Sequence, residues 1–240
     1  MKTPKTVIVT GASQGIGACL VKTFLERGYQ VVATARNIEK SGFQASKSLA
    51  LVNGDIGEVS TTRNVAETAI EKFGGIDTLV NNAGIFFTKP FTDYTTEDFR
   101  QLVSTNLDSF ISLSQLAVRQ MLKRKKGGSV VSITASLANH PIAGITASVP
   151  MITKGGIESI SKNLAMEYAK EGIRFNTVAP GVVDTPLHQD NSKDFLRTLS
   201  PMGSISDAQE IVDAVVFLAE APHITGEVLH VDSGAHVGKW

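Results

Sequence analysis

The sequence predicts a single α/β domain built on a doubly wound, seven-stranded parallel sheet. Three observations predict it. Seven short apolar, mostly β-branched runs alternate with segments of helical periodicity. The connections between consecutive runs leave room for the crossover helices that parallel neighbours require. The chain of 240 residues, 42% of them hydrophobic, suits one sizeable core, and no repeat, low-complexity run or linker marks a second domain within 1–240.

The elements follow in order. Residues 6–10 form an apolar β-branched run stopped by Gly11. Ile16, Leu20, Phe24 and Leu25 then recur at helical spacing as far as Gly28. Residues 30–35 read as the second strand and 49–52 as the third, closed by Asn53-Gly54-Asp55. The stretch between them is short and poor in apolar residues, which predicts a stunted or irregular helix. Val59, Ala66, Ala69, Ile70 and Phe73 mark the next helix, and residues 76–80 a fourth strand ended by Asn81-Asn82-Ala83-Gly84. Thr95-Thr96-Glu97-Asp98 has the pattern of a capping box and opens a long helix toward Lys126. Residues 129–133 are the fifth strand. Ile157, Ile160, Leu164 and Tyr168 share one face of the following helix. Residues 173–178 form the sixth strand, closed by Pro180-Gly181. Ser206 with Gln209 is expected to cap a helix reaching Leu218, and residues 228–231 supply the last strand.

Charge and cysteine usage bound the function. The 23 basic and 23 acidic residues balance, which argues against a nucleic-acid or membrane-surface protein, since both usually need a basic excess. The single cysteine, Cys19, cannot form an internal disulfide, so a reducing, cytoplasmic compartment is the simplest expectation. The opening Met1-Lys2-Thr3-Pro4-Lys5 runs directly into the first strand and lacks the pattern of a signal peptide. No metal site is expected. No Asp, Glu, Lys or Arg occurs from residue 127 to 153, yet Pro141, Pro150, His140 and Asn139 rule out a bilayer span there. That stretch reads as a buried strand followed by an uncharged loop, a suitable place for an active site.

Thr10-Gly11-Ala12-Ser13-Gln14-Gly15-Ile16-Gly17 lies between the first strand and the first helix. Gly11 permits a tight turn, Gly15 lets the backbone approach a pyrophosphate, and Gly17 allows close helix–sheet contact. The helix N-terminus then aims N–H groups and the positive end of its dipole at the anion. This is the phosphate-binding corner of a Rossmann fold.

That TGxxxGxG loop, Asn81-Asn82-Ala83-Gly84, Asn106 in the long helix, Pro180-Gly181 and the terminal Val231-Asp232-Ser233-Gly234 together resemble the short-chain dehydrogenase/reductase family over essentially the whole chain. The resemblance implies a nicotinamide dinucleotide cofactor. Ser13, Gln14 and Ile16 would lie in the phosphate loop with the glycines. Asp55 and Ile56 would sit near the adenine, and Asn82, Ala83 and Gly84 beneath the adenosine ribose region. Pro180, Gly181, Val183 and Thr185 would border the nicotinamide and hold its carboxamide. The second strand ends in Ala35 and is followed by Arg36. An acid there would bond the ribose 2′-hydroxyl; its absence beside a guanidinium favours NADP(H) over NAD(H).

The family reduces carbonyls or oxidises alcohols with a Ser, a Tyr and a Lys, the last two in a YxxxK spacing, supported by an Asn. Ser136, Lys154 and Asn106 stand at three of these positions, and Lys154 would also bind the nicotinamide ribose. Four residues before Lys154, however, stands Pro150. The three tyrosines, Tyr29, Tyr94 and Tyr168, are all placed too far along the pattern to replace it, and Thr134 is an alternative hydroxyl to Ser136. Proline has no proton to donate, but it is tolerated in a helix's first turn. The fold and cofactor site should therefore survive while the usual acid is lost. His140, His188 and Lys154 acting through a water are alternative proton carriers.

By the same resemblance Phe86, His140, Val182, Leu187 and His188 would line the pocket for a small carbonyl or alcohol substrate. The two long helices, 97–126 and 151–170, would form a homodimer or homotetramer interface. Three functions compete: an NADP(H)-dependent oxidoreductase with a modified proton relay, a catalytically silent dinucleotide-binding sensor or partner subunit, and a non-redox offshoot of the halohydrin lyase kind. The intact glycine loop and Lys154 place the third last.

Overall fold

The computed structural model describes residues 4–238; Met1-Lys2-Thr3 and the last two residues lie outside them. All seven expected strands form: β1 Thr6–Thr10, β2 Gln30–Ala35, β3 Leu49–Asn53, β4 Thr78–Asn81, β5 Gly128–Ile133, β6 Ile173–Pro180 and β7 Val228–Val231. They pair in parallel throughout in the order β3-β2-β1-β4-β5-β6-β7. The chain leaves β1 toward one edge of the sheet and returns through β4 toward the other. The crevice between the β1 and β4 exits is the topological switch point where such sheets bind ligands.

Helices cover both faces: α1 Gly15–Glu26 and α7 Ala208–Glu220 on one, α2 Val59–Phe73, α4 Ser109–Arg124 and α5 Ser148–Glu167 on the other. Strand residues alternate between two cores, as the two-residue period of a strand demands. Val7 and Val9 pack with Leu20, Val21 and Phe24 of α1 and Ile211, Val212 and Val215 of α7. Ile8 between them packs with Val65 and Ala69 of α2 and Leu113, Ala117 and Met121 of α4. Among the described residues no helix is long and apolar enough to cross a membrane.

The stretch between β2 and β3 holds only a single 3₁₀ turn, Ile38–Ser41, ended by Gly42 in the left-handed region. Too few apolar residues occur there to give a full helix a face to bury. The capping box at Thr95 is present in both directions: Thr95 Oγ1 accepts from the Asp98 N–H at 3.1 Å and Asp98 Oδ2 accepts from the Thr95 N–H at 2.8 Å.

Three expectations need correction. The helix opened by that box is not uniform. It runs as α3, Thr96–Leu102, then widens into a π-helical segment, Val103–Asp108, before α4. The widened turn carries Asn106, whose side chain bonds outward to a neighbouring loop. The helix of Lys154 begins at Ser148 rather than 151, because Pro150 fits the first turn, where an N–H has no intrahelical acceptor. The cap of α7 is Asp207 with Glu210, one residue beyond the expected Ser206 and Gln209. Ser206 is instead used by its backbone, bridging to Val183.

This last point is testable by chemical denaturation. Asp207→Ala is expected to cost about 1 kcal/mol through the lost cap. Gln209→Ala, on the exposed side of α7, should stay within about 0.5 kcal/mol of the wild type. The reverse order would return the cap to Ser206 and Gln209.

Candidate active site

The switch-point crevice is built by two loops tied side to side. Thr10 Oγ1 accepts the N–H groups of Asn82 at 3.0 Å and Ala83 at 2.9 Å. The Asn82 amide donates back to the carbonyls of Thr10 at 2.8 Å and Gly11 at 3.3 Å. The Asn82 side chain is thereby spent on the protein, and the cradle it maintains is made of backbone. The glycines are demanded by this contact. A Cβ on Gly17 would stand 2.1 Å from the Gly11 carbonyl oxygen, and one on Gly11, which sits at φ +66°, would stand 2.9 Å from Ala83 Cα.

Gly15 differs. A Cβ there would meet the Thr185 side chain at 3.4 Å and Pro186 Cδ at 3.8 Å. The loop after β6 therefore reaches back over the phosphate loop. The N-cap of α1, Gln14, makes no side-chain cap bond, and no acid occupies the first turn. The leading N–H groups of α1 are thus left for an anion. Ser13 and Ile16 are half-buried beside them and Gln14 is exposed.

At the outer end of the crevice, Asp55 Oδ1 accepts the Gly57 N–H at 2.9 Å and Ile56 is buried in the core. A cavity of about 280 Å³ opens here, lined among others by Arg36, Asp55, Gly57, Arg100 and Ser104. The sequence did not single out Arg100, which α3 places across the cavity from the β2 end.

At the inner end, Asn106 is buried in the π-helical turn. Its Oδ1 accepts the Ile85 N–H at 2.8 Å, and its Nδ2 donates to the Ile85 carbonyl and to Thr153 Oγ1, both at 3.0 Å. Thr153 Oγ1 in turn donates to the Pro150 carbonyl at 2.8 Å. Pro150 itself is buried. Lys154 Nζ donates to the Ile133 carbonyl at 2.9 Å. A Cβ on Gly84 would lie 3.2 Å from both Lys154 Nζ and Asn106 Oδ1, so the three converge on one point. Lys154 is half-buried, with its ammonium set among Ile133, Asn106 and Gly84. Burial pushes it down to about 8, with Glu158 one turn further on opposing that shift.

The Gly15 turn, the uncapped helix and the Lys154 ammonium fit a pyrophosphate flanked by a ribose. Val183 is buried and its bridge to Ser206 is made by its neighbours, Val182 and Asp184. Its own N–H and C=O consequently face away from that bridge. Gly181 packs so closely on Asp232 that a Cβ would stand 2.9 Å from Asp232 Cα, and Pro180 ends β6 beside Val231.

None of the tyrosines substitutes at Pro150. Tyr29 packs edge-on against Phe24 at 5.0 Å, and Tyr168 lies 6.1 Å from Phe175. Tyr94 donates to the Phe87 carbonyl at 2.9 Å and accepts the Lys89 N–H at 3.1 Å. Phe86 is half-buried in the same loop. Val182 and His188 are half-buried in the loop after β6, whereas Leu187 is exposed.

The sequence reading missed what surrounds Ser136. Its Oγ is buried and donates to Asp232 Oδ2 at 2.5 Å. Asp232 Oδ1 lies 2.9 Å from His236 Nδ1, and Oδ2 also accepts the His236 N–H at 2.9 Å. Burial raises the Asp232 carboxyl, but bonds from Ser136 and His236 outweigh it and hold the group below its ordinary range. His140 joins this cluster rather than standing alone: its ring is 5.4 Å from His230 and 5.6 Å from His236. Burial, reinforced by His236, lowers His230. Thr134, the alternative hydroxyl, donates to buried Glu158 at 2.7 Å, and Asn139 bonds the same carboxylate. Thr134 is therefore committed to holding the loop. The available signal was the run His230-Val231-Asp232 with His236 four residues on, but only the fold brings it to Ser136.

Residues 11–236 match the family described as enoyl-(acyl carrier protein) reductase. The chain is 35% identical over 245 residues to the 3-oxoacyl-[acyl-carrier-protein] reductase of Escherichia coli, covering 97% of this chain and 98% of that protein. The chain belongs to the short-chain dehydrogenase/reductase family. It is also 35% identical to carbonyl reductase family member 4 of Xenopus tropicalis over 233 residues, covering 96% of this chain and 97% of that one. Among solved structures, the 3-ketoacyl-(acyl-carrier-protein) reductase of Brucella melitensis, complexed with NADH, superposes with a TM-score of 0.90 at 27% identity, over 97% of this chain and 98% of the other. ElxO with NADP bound gives 0.90 at 28% identity, over 98% of this chain and 100% of the other.

The buried ammonium has a stability signature. Below about pH 8 Lys154 is charged in the folded and unfolded chains alike, and the folded chain bears the whole cost of burying the charge. From about 8 up to the ordinary lysine range near about 10.4, the unfolded chain binds more protons, so stability rises with pH. Lys154→Met is expected to melt above the wild type at pH 7, with the margin shrinking toward pH 10. A margin independent of pH would trace the effect to something other than the desolvated charge.

Proposed function

We propose that this short-chain dehydrogenase/reductase is an NADP(H)-dependent oxidoreductase acting on a small carbonyl/alcohol pair with a modified proton relay. The observation that carries the reading is the convergence of Lys154 Nζ and Asn106 Oδ1 on Gly84, 3.2 Å from the place a Cβ would occupy. A protein that only needed this fold would gain nothing from an enclosed charge there, since burying a charge is costly. Reductases among the relatives and neighbours bound to NADH and NADP support the same class of cofactor.

In this reading Gly11, Gly15 and Gly17 with the first N–H groups of α1 hold the pyrophosphate, helped by the backbone of Ser13, Gln14 and Ile16. Asp55 and Ile56 flank the adenine, and the backbone of Asn82, Ala83 and Gly84 underlies the ribose region. Lys154 holds the nicotinamide ribose. Pro180, Gly181, Val183 and Thr185 border the nicotinamide. The bound nicotinamide would supply or accept the hydride. Arg36, with Arg100 across the same cavity, favours a 2′-phosphate, because no acid ends β2. Ser136 contacts the substrate oxygen, and Phe86, Val182 and His188 border the substrate. Exposed Ile152 and Met166 on α5 and Ile111 on α4 fit a homodimer or homotetramer interface along these helices. The lone Cys19 and balanced charge suit a cytoplasmic enzyme of small molecules.

A second reading, a dinucleotide-holding sensor or partner subunit, is favoured by one observation: Pro150 is buried where the family keeps its acid.

Fluorescence titration with NADPH and NADH, followed by a screen of ketones, aldehydes and quinones, separates the two. Tight NADPH binding with turnover supports the oxidoreductase; binding without turnover of anything in the panel supports the silent protein. Arg36→Ala is expected to weaken NADPH about tenfold and NADH hardly at all, a change of about 1.4 kcal/mol. Equal losses for both would remove the case for NADP(H). Pro150→Tyr should raise carbonyl reduction about tenfold or more, because a positioned acid is worth roughly 10²–10⁴-fold. No gain in a folded, NADPH-binding variant would mean that the pocket itself has diverged.

A further inference from the structure

With tyrosine absent, the proton must reach the substrate oxygen some other way. In the oxidoreductase reading Ser136 is the hydroxyl that touches that oxygen, and its hydrogen-bond partners decide what it can do there. In a site that relies on tyrosine, a serine need only point its proton at the substrate. Here the Ser136 proton points the other way, to Asp232 Oδ2 at 2.5 Å. Asp232 is 4% exposed, and its other oxygen faces His236 Nδ1 at 2.9 Å. The His236 side chain is about one-third exposed, at 33%. The three residues thus make an unbroken chain from a buried hydroxyl to an imidazole that meets solvent.

We propose that Ser136, Asp232 and His236 form the proton pathway between substrate oxygen and solvent, in place of the missing tyrosine. The proposal rests on the oxidoreductase reading above. During reduction a hydride reaches the carbonyl carbon and its electron pair forms the new C–H bond. The C=O π pair moves to oxygen, which takes the Ser136 hydroxyl proton. Ser136 Oγ takes a proton from Asp232 Oδ2 as Asp232 Oδ1 takes the Nδ1 proton of the imidazolium form of His236, and the neutral imidazole that remains is reprotonated by solvent. Oxidation runs the same steps in reverse. Ser136 is the catalytic residue; Asp232 and His236 act through it.

The geometry favours proton transfer over ion binding at this cluster. His230 and His236 stack face to face, 4.0 Å apart at 16°, so their nitrogens do not converge on one point. Among the described residues no group of three or more His, Cys, Asp or Glu side chains could hold a metal ion. The groups facing His236 are His140 from the loop after β5, His230 from β7, Asp232 from the turn that follows β7 and, beyond them, Glu158 of α5.

Two measurements test this. The first does not need turnover: ¹⁵N NMR of the histidine rings across pH. Asp232→Asn and Ser136→Ala are each expected to shift the His236 titration midpoint. A midpoint unmoved by Ser136→Ala would show that the three do not share a proton and would overturn the pathway. The second uses the ketone, aldehyde or quinone that the wild type turns over fastest. His236→Ala should lower kcat about 10²-fold, with KM and NADPH affinity within about twofold, and added imidazole should restore much of the loss. Asp232→Asn, which keeps the shape, should lower kcat without rescue by imidazole. Unchanged kcat in His236→Ala would overturn the pathway while leaving the oxidoreductase reading intact. A wild type that binds NADPH but turns over nothing would overturn that reading and the pathway with it.

Discussion

Where β1 and β4 part, the hydroxyl of Thr10 and the amide of Asn82 tie two loops together, and the site depends on that tie. Four hydrogen bonds fix the glycine turn against Asn82 and Ala83. Only glycine fits at Gly17, because the Gly11 carbonyl stands where a Cβ would go. The close approach places the uncapped start of α1 beside the exit of β4. Anion recognition by backbone then follows from the fold, without a dedicated charged side chain.

The inner end of the crevice is organised by a second chain, from Ile85 through Asn106 and Thr153 to the Pro150 carbonyl. It explains why proline is tolerated there. The network uses the backbone carbonyl of residue 150, which proline retains, and the first turn of α5 asks nothing of its missing N–H. Proline at 150 thus leaves the lysine one turn on undisturbed. The widened turn that carries Asn106 belongs to the same device. Such π segments are rare, and where they occur they frequently mark functional sites.

On the β7 side, the buried carboxylates share the work. Glu158 holds Thr134 and Asn139 and so fixes the loop that carries Ser136, while Asp232 binds the Ser136 hydroxyl. A buried charge is tolerated only when its lone pairs are met, and both carboxylates accept at least two bonds. The loop around Ser136 is therefore held from α5 and from the chain's C-terminal turn together. Residues nearly a hundred positions apart define one small region of chemistry.

The sequence by itself determined the parallel sheet, the order of its strands and helices, the glycine corner and the absence of a tyrosine four residues before Lys154. These are local matters: periodicity, turn residues and spacing within a helix are written in consecutive positions. It also gave the stunted segment after β2, because too few apolar residues lay there to cover a helix. It misplaced the α7 cap by one residue, since Ser206 and Asp207 are both competent caps and the bridge to Val183 decides which is free. Tertiary structure alone decided the π-helical turn at Asn106, the enclosure of the Lys154 ammonium and the bond from Ser136 to Asp232. Each depends on an atom from a distant part of the chain: Ile85 for Asn106, Ile133 for Lys154, and Asp232 for Ser136. Burial and hydrogen-bond partnership across such separations are properties of the packed chain, and no pattern of neighbours encodes them.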